Sequence, residues 1–146
     1  MTIPSAIGTL IELAAKDSDE AAKRLGLAIR AGDETEKKLA LLVQYRDEYA
    51  ARFQSGSANG LTAQGYRNFQ MFLDKLDDAI TGQQQAVQAA QQRIQRERSA
   101  WQEHERKRLS YGTLATRAQK EEQRKETKRD QKQTDEQATR AIHYRR

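Results

Sequence analysis

One heptad seam limits what this chain can become. Alternate steps of three and four from Tyr66 lead through Phe69, Leu73, Leu76, Ile80, Gln83, Val87, Ala90, Ile94, Glu97, Trp101, His104, Arg108, Tyr111, Ala115 and Ala118. Twelve of these sixteen positions are apolar, so a narrow buried stripe runs down one very long helix. The stripe then stops, and residues 119–137 contain no apolar side chain. A helix that buries a stripe over part of its length, with nothing to bury afterwards, is a handle on a rod. That pattern argues for an adaptor that reaches into something else, not for an enzyme.

A second stripe supplies the partner: Ile11, Ala14, Ser18, Ala21, Leu25, Ala28, Gly32, Thr35, Leu39, Leu42, Arg46, Tyr49 and Phe53, of which only Arg46 is charged. Pro4-Ser5 and the capping-box spacing Thr9–Glu12 mark a helix start. Three glycines, the Asn59-Gly60 turn signal and a usable N-cap in Thr62 mark the one connection. The expectation is an all-α single coiled-coil domain over residues 1–146. It comprises helix one at about 5–54, a loop at about 55–62 and helix two at about 63–144, folded as an antiparallel hairpin. The predicted register sets Phe53 against Phe69, Tyr49 against Leu73, Leu42 against Ile80 and Ala28 against Ile94. Trp101 then lies opposite Ala21 and Tyr111 opposite Ile11, and the bulky indole gains a small neighbour. Helix one runs out near Ala118, leaving a single-helix overhang of about 25 residues, roughly 40 Å long.

Composition fits this reading. Hydrophobic residues make up 36% and charged residues 32%, too lean a mixture for a globule with wide apolar faces. The single proline, at position 4, leaves nothing to break a helix later. Without cysteine there is no disulfide and no thiolate metal site. The N-terminus lacks the basic start and apolar core of a signal peptide, and no apolar run is long enough for a transmembrane segment, so a cytoplasmic protein is expected. Net charge is +5, but acidic residues interrupt every basic cluster, as in Glu103-His-Glu-Arg-Lys-Arg108. Residues 119–137 carry six bases and six acids. A phosphate-tracking face would be more one-sided, so no nucleic-acid partner is expected.

The sequence offers no catalytic set, no cofactor and no metal site. His104 and His143 are far apart. His104 sits on the seam opposite Ser18, where a polar layer that specifies register is the plain reading. Asp77-Asp78 and Glu121-Glu122 are helix neighbours that point about 100° apart, toward solvent. Arg46, Gln83, Glu97, His104 and Arg108 interrupt the seam. Each can snorkel outward and fix register at some cost in stability, or loosen the seam for a partner to shift.

The aromatics are more informative. In the heptad frame Leu42 and Tyr49 are d positions while Lys38 and Tyr45 are g. On helix two, Leu76 and Gln83 are d while Phe72 and Ala79 are g. The two g rows of an antiparallel pair share one side of the rod. Tyr45, Tyr49, Phe72 and Leu76 are thus expected to form a partly exposed apolar patch, either a widened seam or a binding hot spot.

Almost end to end, the chain resembles the FliJ family of flagellar type III export proteins. The resemblance is carried by Leu10-Ile-Glu-Leu-Ala14, Asp19-Glu-Ala-Ala22 with Leu25-Gly26, and Tyr45-Arg-Asp-Glu-Tyr49. Asn59-Gly60, Tyr66-Arg-Asn-Phe-Gln-Met-Phe-Leu73 to Ile80, Trp101, Asp130-Gln-Lys132, Asp135-Glu136 and Arg140-Ala141 continue it. It implies a non-enzymatic, stalk-like coiled coil with three partners: the flagellar export ATPase, the cytoplasmic domain of the transmembrane export gate, and export chaperones. It also implies a peripheral position on the cytoplasmic side of the cell membrane at the flagellar base. Gate contacts carried over by resemblance are Leu42, Tyr45, Tyr49, Phe72, Leu76 and Ala79. Lys38 and Gln83 complete the set but depart from the expected amide and imidazole. For the ATPase ring, the expected contacts are Ile7, Leu10, Ala14, Tyr111, Asp130, Lys132 and Arg140. The alternatives are a soluble coiled-coil chaperone for exported subunits and a basic coiled coil that binds nucleic acid.

Overall fold

The computed structural model describes residues 5–57 and 60–145. They form two helices, α1 (Ser5–Ser57) and α2 (Ala63–Tyr144), with no strand among the described residues. The helices pack on each other in an antiparallel sense, because partners on α2 rise in number as those on α1 fall. Phe53 stacks on Phe69, Arg46 bonds to Asp77, Thr35 to Gln83, and Arg24 pairs with Glu97. Contacts cluster into two units, Ala21–Trp101 and a second made of Met1–Glu20 with Gln102–Arg146.

All thirteen stripe residues of α1 are buried or half-buried, as are the stripe residues of α2 other than Tyr66 and Arg108. The predicted register is met at Phe53 and Phe69, and to within one residue at Ser18. The Phe53 and Phe69 rings lie 3.9 Å apart, and Gly32 lies beside Ala90 and Ile94. Ser18 bonds to Glu105, next to the expected His104. The fully protected positions of α1 are small: Ala14, Ser18, Ala21, Ala28 and Gly32. Small side chains let the larger α2 residues approach the α1 backbone, and among the described residues no large side chain is fully buried. Nearer the loop the α1 seam changes to Leu39, Leu42, Tyr49 and Phe53, all half-buried.

The helix boundaries correct the expectation at two points. α1 continues to Ser57 instead of stopping near residue 54, so the connection is shorter than residues 55–62. Leu61 explains this: it folds back between Gly56 and Gly65, where an added Cβ would come within 3.1 Å and 2.7 Å of its methyl groups. The chain reverses at Gly60, whose φ of 85° suits glycine. Asn59, the other half of the expected turn, lies outside the described residues. Thr62 caps α2 as expected, its Oγ1 accepting from the Gly65 amide at 3.1 Å. At the other end, α1 is already helical at Ser5, so Thr9 lies inside the helix and the Thr9–Glu12 capping box is not its start. Pro4 lies outside the described residues.

Within the unit that contains both chain ends, Ala118 and Glu122 are the last half-buried residues of α2. From Gln123 to Arg145 every residue is exposed. The overhang therefore begins one turn later than residue 119, because Glu122 extends the same stripe. At its start, Arg124 donates to Glu121 at 2.8 Å, a pair one helical turn apart among the balanced charges of this segment.

Candidate protein-interaction surfaces

The aromatic patch lies in the unit Ala21–Trp101. Three aromatics of α2 (Tyr66, Phe69 and Phe72) meet Tyr49 and Phe53 of α1 in one continuous ladder. Tyr49 lies 4.6 Å from Phe69 with ring planes 5° apart, and 4.5 Å from Phe72 at 53°. Phe53 stacks on Phe69 and meets Tyr66 at 5.3 Å. Offset and tilted rings add about 0.5–1.5 kcal/mol per pair beyond burial and hold Tyr49 in place. Against this wall Tyr45, Tyr49, Phe72 and Leu76 line a shallow groove of about 240 Å³. Tyr45 and Phe72 are 51% and 45% exposed, which is ample surface for a partner to cover.

Two groove residues have no counterpart in the patch read from sequence. Glu48 and Arg52 form its rim. The heptad frame could have found them, since both point from α1 on the side of Tyr45, but charged residues gave no apolar signal. The other proposed gate residues lie apart from the groove lining. Lys38 and Ala79 are exposed, Leu42 is a half-buried seam residue, and Gln83 donates to the Thr35 carbonyl at 2.9 Å. That bond makes Gln83 a tie between the helices.

The interrupted seam is held by polar ties. Arg46 Nε donates to Asp77, so Arg46 does not simply snorkel outward and Asp77 does not face open solvent. The Asp77 carboxylate, by hydrogen bond and charge, raises the Arg46 pKa further. Arg24 pairs with Glu97 at 3.7 Å. In the other unit, Ser18 donates to Glu105, which also accepts from Arg108 at 3.0 Å and 3.2 Å. The Ser18 hydroxyl first, and then Arg108, hold the Glu105 carboxyl below its usual range. The polar layer expected from Ser18 and His104 thus runs through Glu105.

The unit with the chain ends carries the expected ATPase contacts in three settings. Leu10, Ala14 and Tyr111 line a groove of about 180 Å³ with Leu13, Asp17, His104 and Lys107. Ala14 is only 6% exposed, so it forms floor, while Leu10 and Leu13 stand out at 42% and 52%. Ile7 is half-buried near the start of α1. Asp130, Lys132 and Arg140 are exposed on the overhang, outside the lining of that groove. A second groove, of about 610 Å³, is lined by Ile11, Leu109, Gly112, Thr113 and Thr116 with Arg108, Arg117 and Lys120.

Among the described residues no cluster of His, Cys, Asp or Glu is placed to hold a metal ion, and no helix is long and apolar enough to cross a membrane. What these surfaces offer chemically is recognition: a rigid aromatic groove with a charged rim, and an exposed zwitterionic helix.

The sequence matches the family described as Flagellar FliJ protein over residues 4–146. It is 32% identical to the Flagellar FliJ protein of Escherichia coli K12 over 136 residues, covering 93% of this chain and 92% of that one. It is likewise 32% identical over 138 residues to the Flagellar FliJ protein of Salmonella typhi, with the same coverage. With the hairpin, the aromatic groove and the overhang in place over that same span, the chain belongs to the flagellar FliJ family.

Proposed function

We infer that this chain is a non-enzymatic component of the flagellar protein export apparatus, working as a coiled-coil adaptor. Its aromatic groove docks on the cytoplasmic domain of the transmembrane export gate. The start of α1 and α2 beyond Tyr111 engage the export ATPase ring, and the protein assists export-chaperone cycling from the cytoplasmic side of the membrane. The groove carries this reading. Tyr45 and Phe72 are half-exposed on a stacked aromatic wall that holds its shape without a partner, and a preorganised aromatic surface is what a binding hot spot requires. The overhang supports the ATPase half, since α2 continues as helix through residues that bury nothing on their own chain.

The test has two arms. Tyr45→Ala and Phe72→Ala are expected to weaken binding to the purified gate domain while leaving exported-subunit binding unchanged. Loss of subunit binding with gate binding intact would favour the chaperone alternative. In the second arm, the export ATPase's turnover and ring formation are measured with the full chain and with a chain truncated after Glu122. Stimulation lost on truncation supports the overhang's role, and no effect from either protein removes it.

A further inference from the structure

The rim of the aromatic groove carries two charges that the fold leaves available. Glu48 and Arg52 lie one helical turn apart on α1, an order and spacing that favour an intrahelical ion pair. No such pair forms. Glu48 Oε1 instead accepts from Gln44 at 3.1 Å, toward the preceding turn. Among the described residues the Arg52 guanidinium has no hydrogen-bond or ion-pair partner, nor do the Tyr45 and Tyr49 hydroxyls. The groove thus combines an apolar floor from Phe72 and Leu76, two phenol hydroxyls, and an open rim with a carboxylate at one end and a guanidinium at the other.

This arrangement constrains the occupant. At about 240 Å³ the space is below the roughly 300–1,000 Å³ of small-molecule sites and suits an anchoring side chain from another protein. Any segment that fills the floor also covers the rim, and a charge removed from water without a partner is costly. A segment that binds here must therefore bring an apolar anchor together with a carboxylate for Arg52 and a cation for Glu48. The two groups must be spaced by about one helical turn, near 5–6 Å.

We propose that Glu48 and Arg52 determine specificity at this groove, selecting a partner segment whose apolar anchor lies between a cation and a carboxylate in the complementary order. The proposal rests on the gate-docking reading of the same groove and names the chemistry that the gate's contact segment must carry. Simple charge attraction depends on net charge, whereas this reading depends on order. The two separate in a swapped rim.

The experiment measures binding of the purified gate cytoplasmic domain to the full chain and to Tyr45→Ala, Arg52→Glu, Glu48→Arg and the swap Glu48→Arg/Arg52→Glu. Both rim residues are exposed, so the variants are expected to fold, and circular dichroism with thermal melting checks this. At about 50 mM salt, where screening is weak, both single variants and the swap are expected to bind roughly tenfold more weakly. Their deficit should shrink as salt rises, while that of Tyr45→Ala should not. Wild-type binding by the swap, with Tyr45→Ala impaired, overturns the proposal and leaves the gate reading intact. Wild-type binding by Tyr45→Ala removes the gate reading, and this proposal with it. A concentration-dependent dimer abolished by both Tyr45→Ala and the swap would assign the groove to a second copy and likewise overturn it.

Discussion

The close packing at Gly32 gives a sharp test of how the helices meet. A Cβ at this buried position would lie 2.8 Å from Ile94 Cδ1 and 4.0 Å from the Ala90 Cβ. Gly32→Ala therefore sets two effects against each other. Helix propensity favours alanine by about 1 kcal/mol. Overpacking opposes it by about 1–3 kcal/mol, toward the lower end because the obstructing atom is the tip of a flexible side chain. The expected net change runs from neutral to about 2 kcal/mol destabilising. Ile94→Val removes the obstructing methyl and by itself costs about 0.5–1.5 kcal/mol. In that background Gly32→Ala should stabilise by about 1 kcal/mol, giving a coupling of about 1–3 kcal/mol between the two sites. Gly26 is the control. It is exposed on the same helix, and a Cβ there meets nothing within 4 Å, so Gly26→Ala should stabilise by about 1 kcal/mol in either background. Urea unfolding followed by far-UV circular dichroism reads all of these, and 1 kcal/mol shifts Tm by about 2–4 °C at this chain length. Equal stabilisation by alanine at positions 26 and 32 in the otherwise unchanged chain would refute the close approach.

Three further outcomes are expected. Thr62→Ala removes the cap on the Gly65 amide and should cost about 1 kcal/mol, read as a fall in Tm. Glu105 is a pH probe: its folded pKa is depressed, so its contribution is present above the ordinary glutamate value of 4.5 and is lost as pH falls through the lower folded value. Thermal melts taken down through that range should show a stability loss that Glu105→Gln reduces, and identical acid limbs would refute the Ser18–Glu105–Arg108 linkage. Every described residue beyond Glu122 is exposed, so truncation after Glu122 should leave Tm within about 2 °C while total helical signal drops.

Periodicity made the hairpin legible because burying apolar side chains along a narrow seam is the main thing two long helices do. The two stripes, Thr62 and the Phe53–Phe69 register were all readable from spacing alone. Polar geometry was not. Arg46–Asp77 and Ser18–Glu105 join a stripe residue to one just beside the stripe, and heptad counting assigns such neighbours to solvent. The Leu61 clasp was hidden because glycines at 56 and 65 signal a loop, whereas here their missing side chains make room for a leucine. At the groove the apolar members were found and Glu48 and Arg52 were not, since a rim charge is recognisable only once the floor beneath it has been located.

The aromatic ladder also bears on how fast the chain folds. Its rings meet across the short connection, while the polar ties farther along join residues 31, 48 and 87 positions apart. Closing a short loop loses less chain entropy than closing a long one, so the hairpin is expected to nucleate at Tyr49, Phe53 and Phe69 and to zip away from Gly60. The surface that we assign to partner docking then coincides with the folding nucleus. Substitutions in the ladder should slow refolding more than they speed unfolding, whereas changes near Ser18 and Glu105 should do the reverse. A sequence drifting to meet a new partner at this groove would alter its own folding rate at the same time.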